Sequence, residues 1–228
     1  LRIHAIVTDV VYDKDRKRAT GVRVIDAATR QTTVYSAKVV FLCASTINST
    51  WILMRSAREV WPGGLGSSCG ELGHNLMDHH FRCGANGVIH EFEDRSVYGS
   101  RPTGFYIPRY RNLGSDKRPY LRGFGYQGSA NRQGWERAVA ELGVGGDFKD
   151  AMARPGPWRM GATAFGEMLP SHANRITIDE SRTDAWGQPV VAIDCQTGEN
   201  ERMMRRDMMN DMAEMLEASG VKNVRTYD

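Results

Sequence analysis

The run Lys38-Val39-Val40-Phe41-Leu42-Cys43-Ala44 constrains the fold more than any other stretch of this chain. A continuous apolar run suits a strand buried on both faces, as in a parallel sheet covered by helices. Before it come Ile3 to Tyr12, Ala19 to Ala27 and Gln31 to Ser36, all β-branched and roughly alternating. The polar turns Asp13 to Arg18 and Ala28-Thr29-Arg30 separate them, so the pattern predicts a three-stranded meander. A helix is expected after the apolar run, capped by Thr46 or Asn48 and ending before the Pro62-Gly63-Gly64 break.

Trp61 to Asp78 is rich in Gly, Ser and Asn without periodicity, and reads as a connection between two regions. A domain boundary is placed there, dividing the chain into 1–62 and 63–228. Beyond it, strand-like stretches recur near Phe81 to Ile89, Gly104 to Tyr110, Tyr120 to Gln127, Trp158 to Leu169, Arg175 to Asp179 and Val190 to Asp194. They predict a mixed or antiparallel sheet. From Glu199 to Ser219, Met204, Met208, Met212, Met215 and Leu216 fall at helical spacing, with Gly220 placed to end the helix. A methionine stripe of this kind is core filler more often than a metal site. The fold class expected is mixed α/β.

Composition narrows the function classes. A net charge of +3, with basic and acidic residues interleaved, leaves no stripe for a nucleic acid. No apolar run approaches the length of a membrane span, so a soluble chain is expected. Cys43, Cys69, Cys83 and Cys195 form no CxxC pair and are read as free thiols. The chain opens and closes in strand-like residues, which reads as a segment cut at both ends.

Val39 to Ser56, with its small-residue turn Ala44-Ser45-Thr46 and its helix start at Asn48-Ser49, resembles the second signature of the glucose-methanol-choline (GMC) oxidoreductases. Ser45 stands where Gly is usual, Thr50 for Pro and Ala57 for Gly. Three further stretches fall in family order: Leu1 to Val22; Gly70-Glu71-Leu72-Gly73-His74-Asn75-Leu76-Met77-Asp78-His79; and Gly166 to Pro189, similar to paired strands of the substrate sheet. The resemblance implies part of a Rossmann-like domain binding flavin adenine dinucleotide (FAD), followed by a substrate domain with a mostly antiparallel sheet. It implies Val7, Ala44, Ser45, Asn48, Asp78 and His79 as cofactor-side residues. It also places the pyrophosphate-binding glycine turn before this stretch and the catalytic His after it, so no catalytic residue is assigned and no turnover is expected from the stretch alone.

His74, His79 and His80, with Cys69 and Cys83, concentrate metal-type ligands, but not at the spacings of a finger or a helical His pair, and no metal is assigned. Glu167 is a candidate substrate-binding carboxylate; its alternative is an ion pair with an arginine such as Arg159 or Arg175. Phe105 to Tyr126 reads as a lid or sugar-stacking wall, or as an ordinary sheet edge. The function expected is FAD-dependent oxidation of a hydroxyl on a sugar, glycoside or related alcohol. An aliphatic-alcohol or sterol oxidase of the same group is the near alternative, and a carbohydrate-binding module without flavin the distant one. Compartment, bacterial cytoplasm or periplasm, stays open, as do an electron-acceptor subunit and homo-oligomerisation.

Overall fold

A computed structural model describes residues 1–95, 104–134 and 144–228. The chain forms two compact units, each made of two stretches: 1–77 with 170–196, and 78–169 with 197–228. Packing thus carries residues 63–77 and 170–196 with the first stretch, whereas the sequence pattern divides the chain after residue 62. The whole is mixed α/β with antiparallel sheets.

In the first unit, β1 (Ala5–Asp13), β2 (Arg18–Asp26) and β3 (Thr32–Ser36) form the expected meander. Its turns close on aspartates. Asp13 accepts the amides of Asp15 and Arg16 at 3.0 and 2.9 Å, and Asp26 those of Ala28 and Thr29 at 3.1 and 2.9 Å. Those two amides, Thr29 first, hold the Asp26 carboxyl below its ordinary pKa.

Residues 38–44 are not a strand, contrary to expectation; Val39 is 65% and Phe41 83% exposed. A strand covered on both faces needs hydrogen-bonded neighbours, and no described strand pairs with this run. Helix α1 (Ser45–Arg55) follows, and its N-cap is Ala44 rather than Thr46 or Asn48, which lie inside the helix. At its far end the buried Ser56 hydroxyl accepts the Val10 amide at 2.8 Å and donates to the Ile52 carbonyl at 2.6 Å, tying helix to meander.

Strands β8 (Arg175–Thr183) and β9 (Pro189–Asp194) pair with each other, as expected, but as a separate hairpin in the first unit and not within the larger sheet. Polar and ring contacts dock the hairpin on α1. The Trp51 indole donates to the Pro189 carbonyl at 2.9 Å, Arg55 donates to Gln188, and the Arg55 guanidinium lies 4.7 Å from the Trp51 ring centroid.

The second unit is a sheet of order β10-β4-β7-β6-β5, all neighbours antiparallel. Its strands are β4 (His79–Ile89), β5 (Gly104–Ile107), β6 (Phe124–Arg132), β7 (Trp158–Glu167) and β10 (Lys222–Tyr227). A short helix α2 (Gly146–Ala153) precedes β7, and α3 (Glu199–Ala218) packs on β4, β7 and β10. Strand periodicity of two sends Cys83, Ala85, Phe124, Tyr126, Ala162 and Ala164 toward α3, where they meet Met204, Met208, Met212 and Leu216 in one buried cluster. Gly220, at φ +92°, ends α3 as the sequence predicts.

Segment 105–126 is fastened to α3 through two aspartates. Asp211 receives Tyr110, Arg111 and, at 2.9 Å, Tyr126, while Tyr120 donates to Asp207 at 2.5 Å. Burial is the first cause raising the pKa of all three tyrosines, and the neighbouring carboxylates add to it. Since the folded values lie above the unfolded one of about 10, the folded state holds these protons more tightly. Stability from this source is complete below about pH 10 and falls as pH rises above it. The urea midpoint is therefore expected to drop between about pH 8 and pH 11, and to drop less in Tyr126→Phe.

Candidate functional site

The first unit carries a cleft of about 840 Å³. Val7 reaches it from the middle of β1, Ala44 from the end of the exposed run, and Asn48 from the first turn of α1. Tyr35, Ser36, Ala37, Trp51 and Trp186 complete much of the wall. The lining is chiefly apolar, with small side chains where the chain turns into the helix, so a flat ring can approach the backbone closely there.

Ser45 does not line the cleft, yet it takes φ +63° at the first residue of α1. That left-handed conformation costs a non-glycine residue roughly 1–2 kcal/mol. It falls at the position where the resembled signature usually has glycine, the residue that takes this conformation without strain.

Asp78 and His79 belong to the second unit and are exposed; the Asp78 carboxylate accepts the His79 amide at 2.7 Å. His79 sits opposite Glu167 in the β4–β7 register. The six expected cofactor residues are thus divided, four in one unit and two in the other. Glu167 ends β7 with its side chain half exposed, 3.9 Å from Arg109 and 3.7 Å from Arg122. These replace the expected Arg159, which lies toward the other end of the same strand, and Arg175, which belongs to the first unit.

Other histidines have contacts of their own. His80 is buried with Nε2 at 3.2 Å from the Met204 sulfur, and no described residue partners its Nδ1; burial, then the Arg205 charge, lowers its pKa. His74 stacks on His172 with centroids 3.8 Å apart. Among the described residues, no three of His, Cys, Asp and Glu gather as metal ligands. All four cysteines are free thiols, as the sequence indicated, Cys83 buried and the others exposed.

Sequence reasoning missed a second concavity, about 800 Å³, on the sheet of the second unit. Its polar lining includes Asn86, Gln127, Thr163 and Tyr227 together with Arg132 and Arg159, and Gly161 forms part of its floor. The signal was present in β7, where Gly161-Ala162-Thr163-Ala164 alternates two chemistries at period two.

Comparison with known proteins places these features. Residues 1–81 match the family described as GMC oxidoreductase. The 2-methyl-1,2-propanediol dehydrogenase of Mycolicibacterium austroafricanum is 27% identical over 215 residues, which cover 88% of this chain and 37% of that protein. The chain therefore spans little more than a third of that relative's length. No described helix is long and apolar enough to cross a membrane.

Proposed function

We propose that the protein carrying this chain, whose residues 1–81 match the GMC oxidoreductase family, is an FAD-dependent oxidoreductase acting on the CH–OH group of an alcohol. The observation that carries the reading is convergence: Val7, Ala44 and Asn48, far apart in sequence, line one cleft. The residues fit the group. Val7 and the Ala44 backbone would lie against its rings, and the Asn48 amide offers both donor and acceptor to its polar edge. When bound, FAD supplies the hydride acceptor.

The chain's own residues bind and position. Glu167 holds a substrate hydroxyl by accepting its hydrogen, with Arg109 and Arg122 keeping its charge balanced. The substrate is a sugar, glycoside or smaller polyol; the similarity to a 2-methyl-1,2-propanediol dehydrogenase supports the alcohol class.

Ala44→Leu tests the reading, because its branched side chain fills the place where backbone must approach the ring. Flavin absorbance per protein is expected to fall at least roughly tenfold, a loss of about 1.4 kcal/mol or more in binding, while far-ultraviolet dichroism stays unchanged. Full flavin retention in the variant, or no flavin uptake by the unmodified protein, would overturn it.

A further inference from the structure

Strand β4 breaks its alternation once. His80 sits opposite Gly166 and Cys83 opposite Ala164, so three steps along β4 answer two along β7, with a bulge at residues 81 and 82. Arg82 carries the bulge in the left-handed region, at φ +66°. A regular strand would send residues 80 and 83 to opposite faces. Here both meet α3: His80 Nε2 lies 3.2 Å from the Met204 sulfur, and the Cys83 thiol donates to the Met208 sulfur at 3.2 Å. Met204 and Met208 stand one turn apart on that helix.

A glycine of β7 completes the arrangement. A Cβ on Gly166 would lie 2.4 Å from His80 Nε2, 2.4 Å from the Met208 methyl carbon and 2.9 Å from the Met204 sulfur. Three side chains from two elements thus converge over one bare backbone position. Cys83, Met204 and Met208 expose no surface, and His80 only 8% of its own. A methionine stripe that merely fills a core is content with aliphatic neighbours. A buried imidazole, in contrast, is expected to find hydrogen-bond partners. Nδ1 has none among the described residues, and Nε2 faces a thioether, a weak acceptor.

The donor set selects its ligand. An imidazole nitrogen, a thiol and two thioethers are soft donors of the kind that favour Cu(I). Among the described residues no third His, Cys, Asp or Glu joins His80 and Cys83, so a divalent ion finds no second negative charge there. Cu(I) displaces the Cys83 proton: a Cu–S bond forms, the S–H bond breaks and one proton leaves to water. The single positive charge then meets a single thiolate, and the neutral imidazole and thioethers leave the buried site uncharged. Burial, then the Arg205 charge, lowers the pKa of His80 and so favours the unprotonated ring that a metal needs.

We propose that His80 Nε2, Cys83 Sγ, Met204 Sδ and Met208 Sδ form a Cu(I)-binding site between β4 and α3. The ion enters from the His80 side, where the preceding Asp78 and His79 are exposed. The site stands apart from the alcohol-oxidoreductase reading and does not depend on it.

The test uses the whole protein with Cys43, Cys69 and Cys195 replaced by Ser, because those exposed thiols also take soft metals. Cu(I), kept reduced with ascorbate, is partitioned between this protein and the chelator bicinchoninate. Adding Cys83→Ala or Met208→Leu is expected to weaken retention of one copper per chain at least roughly tenfold, the loss already typical for an outer-shell partner. X-ray absorption of the retained copper is expected to show a sulfur-rich shell containing an imidazole. Dichroism confirms that each variant is folded, and Met208→Leu, which preserves volume, decides alone if Cys83→Ala does not fold. Undiminished copper retention in a folded variant, or no copper held by the protein without these two changes, overturns the proposal.

Discussion

Asp211→Ala is expected to lower stability by about 3–5 kcal/mol, because it removes one partner of a buried ion pair and leaves the other uncompensated. Asp211 is 7% exposed and receives the Arg111 guanidinium and the hydroxyls of Tyr110 and Tyr126. Without the carboxylate, Arg111 keeps Asp207, at 3.6 Å, and the Tyr110 ring, 5.1 Å from its centroid, and the Tyr110 hydroxyl loses its described partner. Tyr126 still reaches the Met208 carbonyl at 2.9 Å, so its share of the loss is smaller. The urea midpoint should fall with the slope preserved. A change under about 1 kcal/mol, the size of an exposed pair, would show that water reaches the network and that 105–126 is not held by it.

Met208→Ala is expected to cost about 2–5 kcal/mol, and Met208→Leu less than about 1.5 kcal/mol. Met208 is fully buried, its sulfur lies 3.2 Å from Cys83 Sγ, and its methyl group occupies the space beside Gly166. Alanine leaves a cavity against the sheet, whereas leucine restores most of the volume without the sulfur. Thermal unfolding of both variants separates packing from sulfur chemistry. Equal losses in the two would mean that the thioether contact, not the filled space, holds α3 on β4.

The meander, the hairpin and α3 were legible because each writes its period into adjacent residues: two in Val22-Arg23-Val24, nearly four in Met204, Met208 and Met212. The run at 38–44 departs from its expected strand for a related reason. An apolar stretch without period reports an environment, and burial depends on neighbours that the stretch itself does not specify. The hairpin's sheet was likewise misassigned, since the contacts that decide it, Trp51 to Pro189 and Arg55 to Gln188, are remote in sequence. Within the candidate cofactor site, Val7, Ala44 and Asn48 came from resemblance, and the strain at Ser45 emerged only with the backbone angles. The hydrogen bond between Thr163 and Tyr227 in the second concavity was invisible because cross-strand register is a three-dimensional property.

The division of each unit into two stretches has a consequence for the ribosome. Residues 1–77 emerge before the hairpin that docks on α1, which lies in 170–196. Making the residues between them takes roughly 5–20 s at ordinary translation rates. For that interval the Trp51 indole and the Arg55 guanidinium face solvent or a chaperone instead of β9 and its turn. Codon speed through residues 78–169, which touches no side chain in the finished protein, thereby sets how long the first unit waits half built.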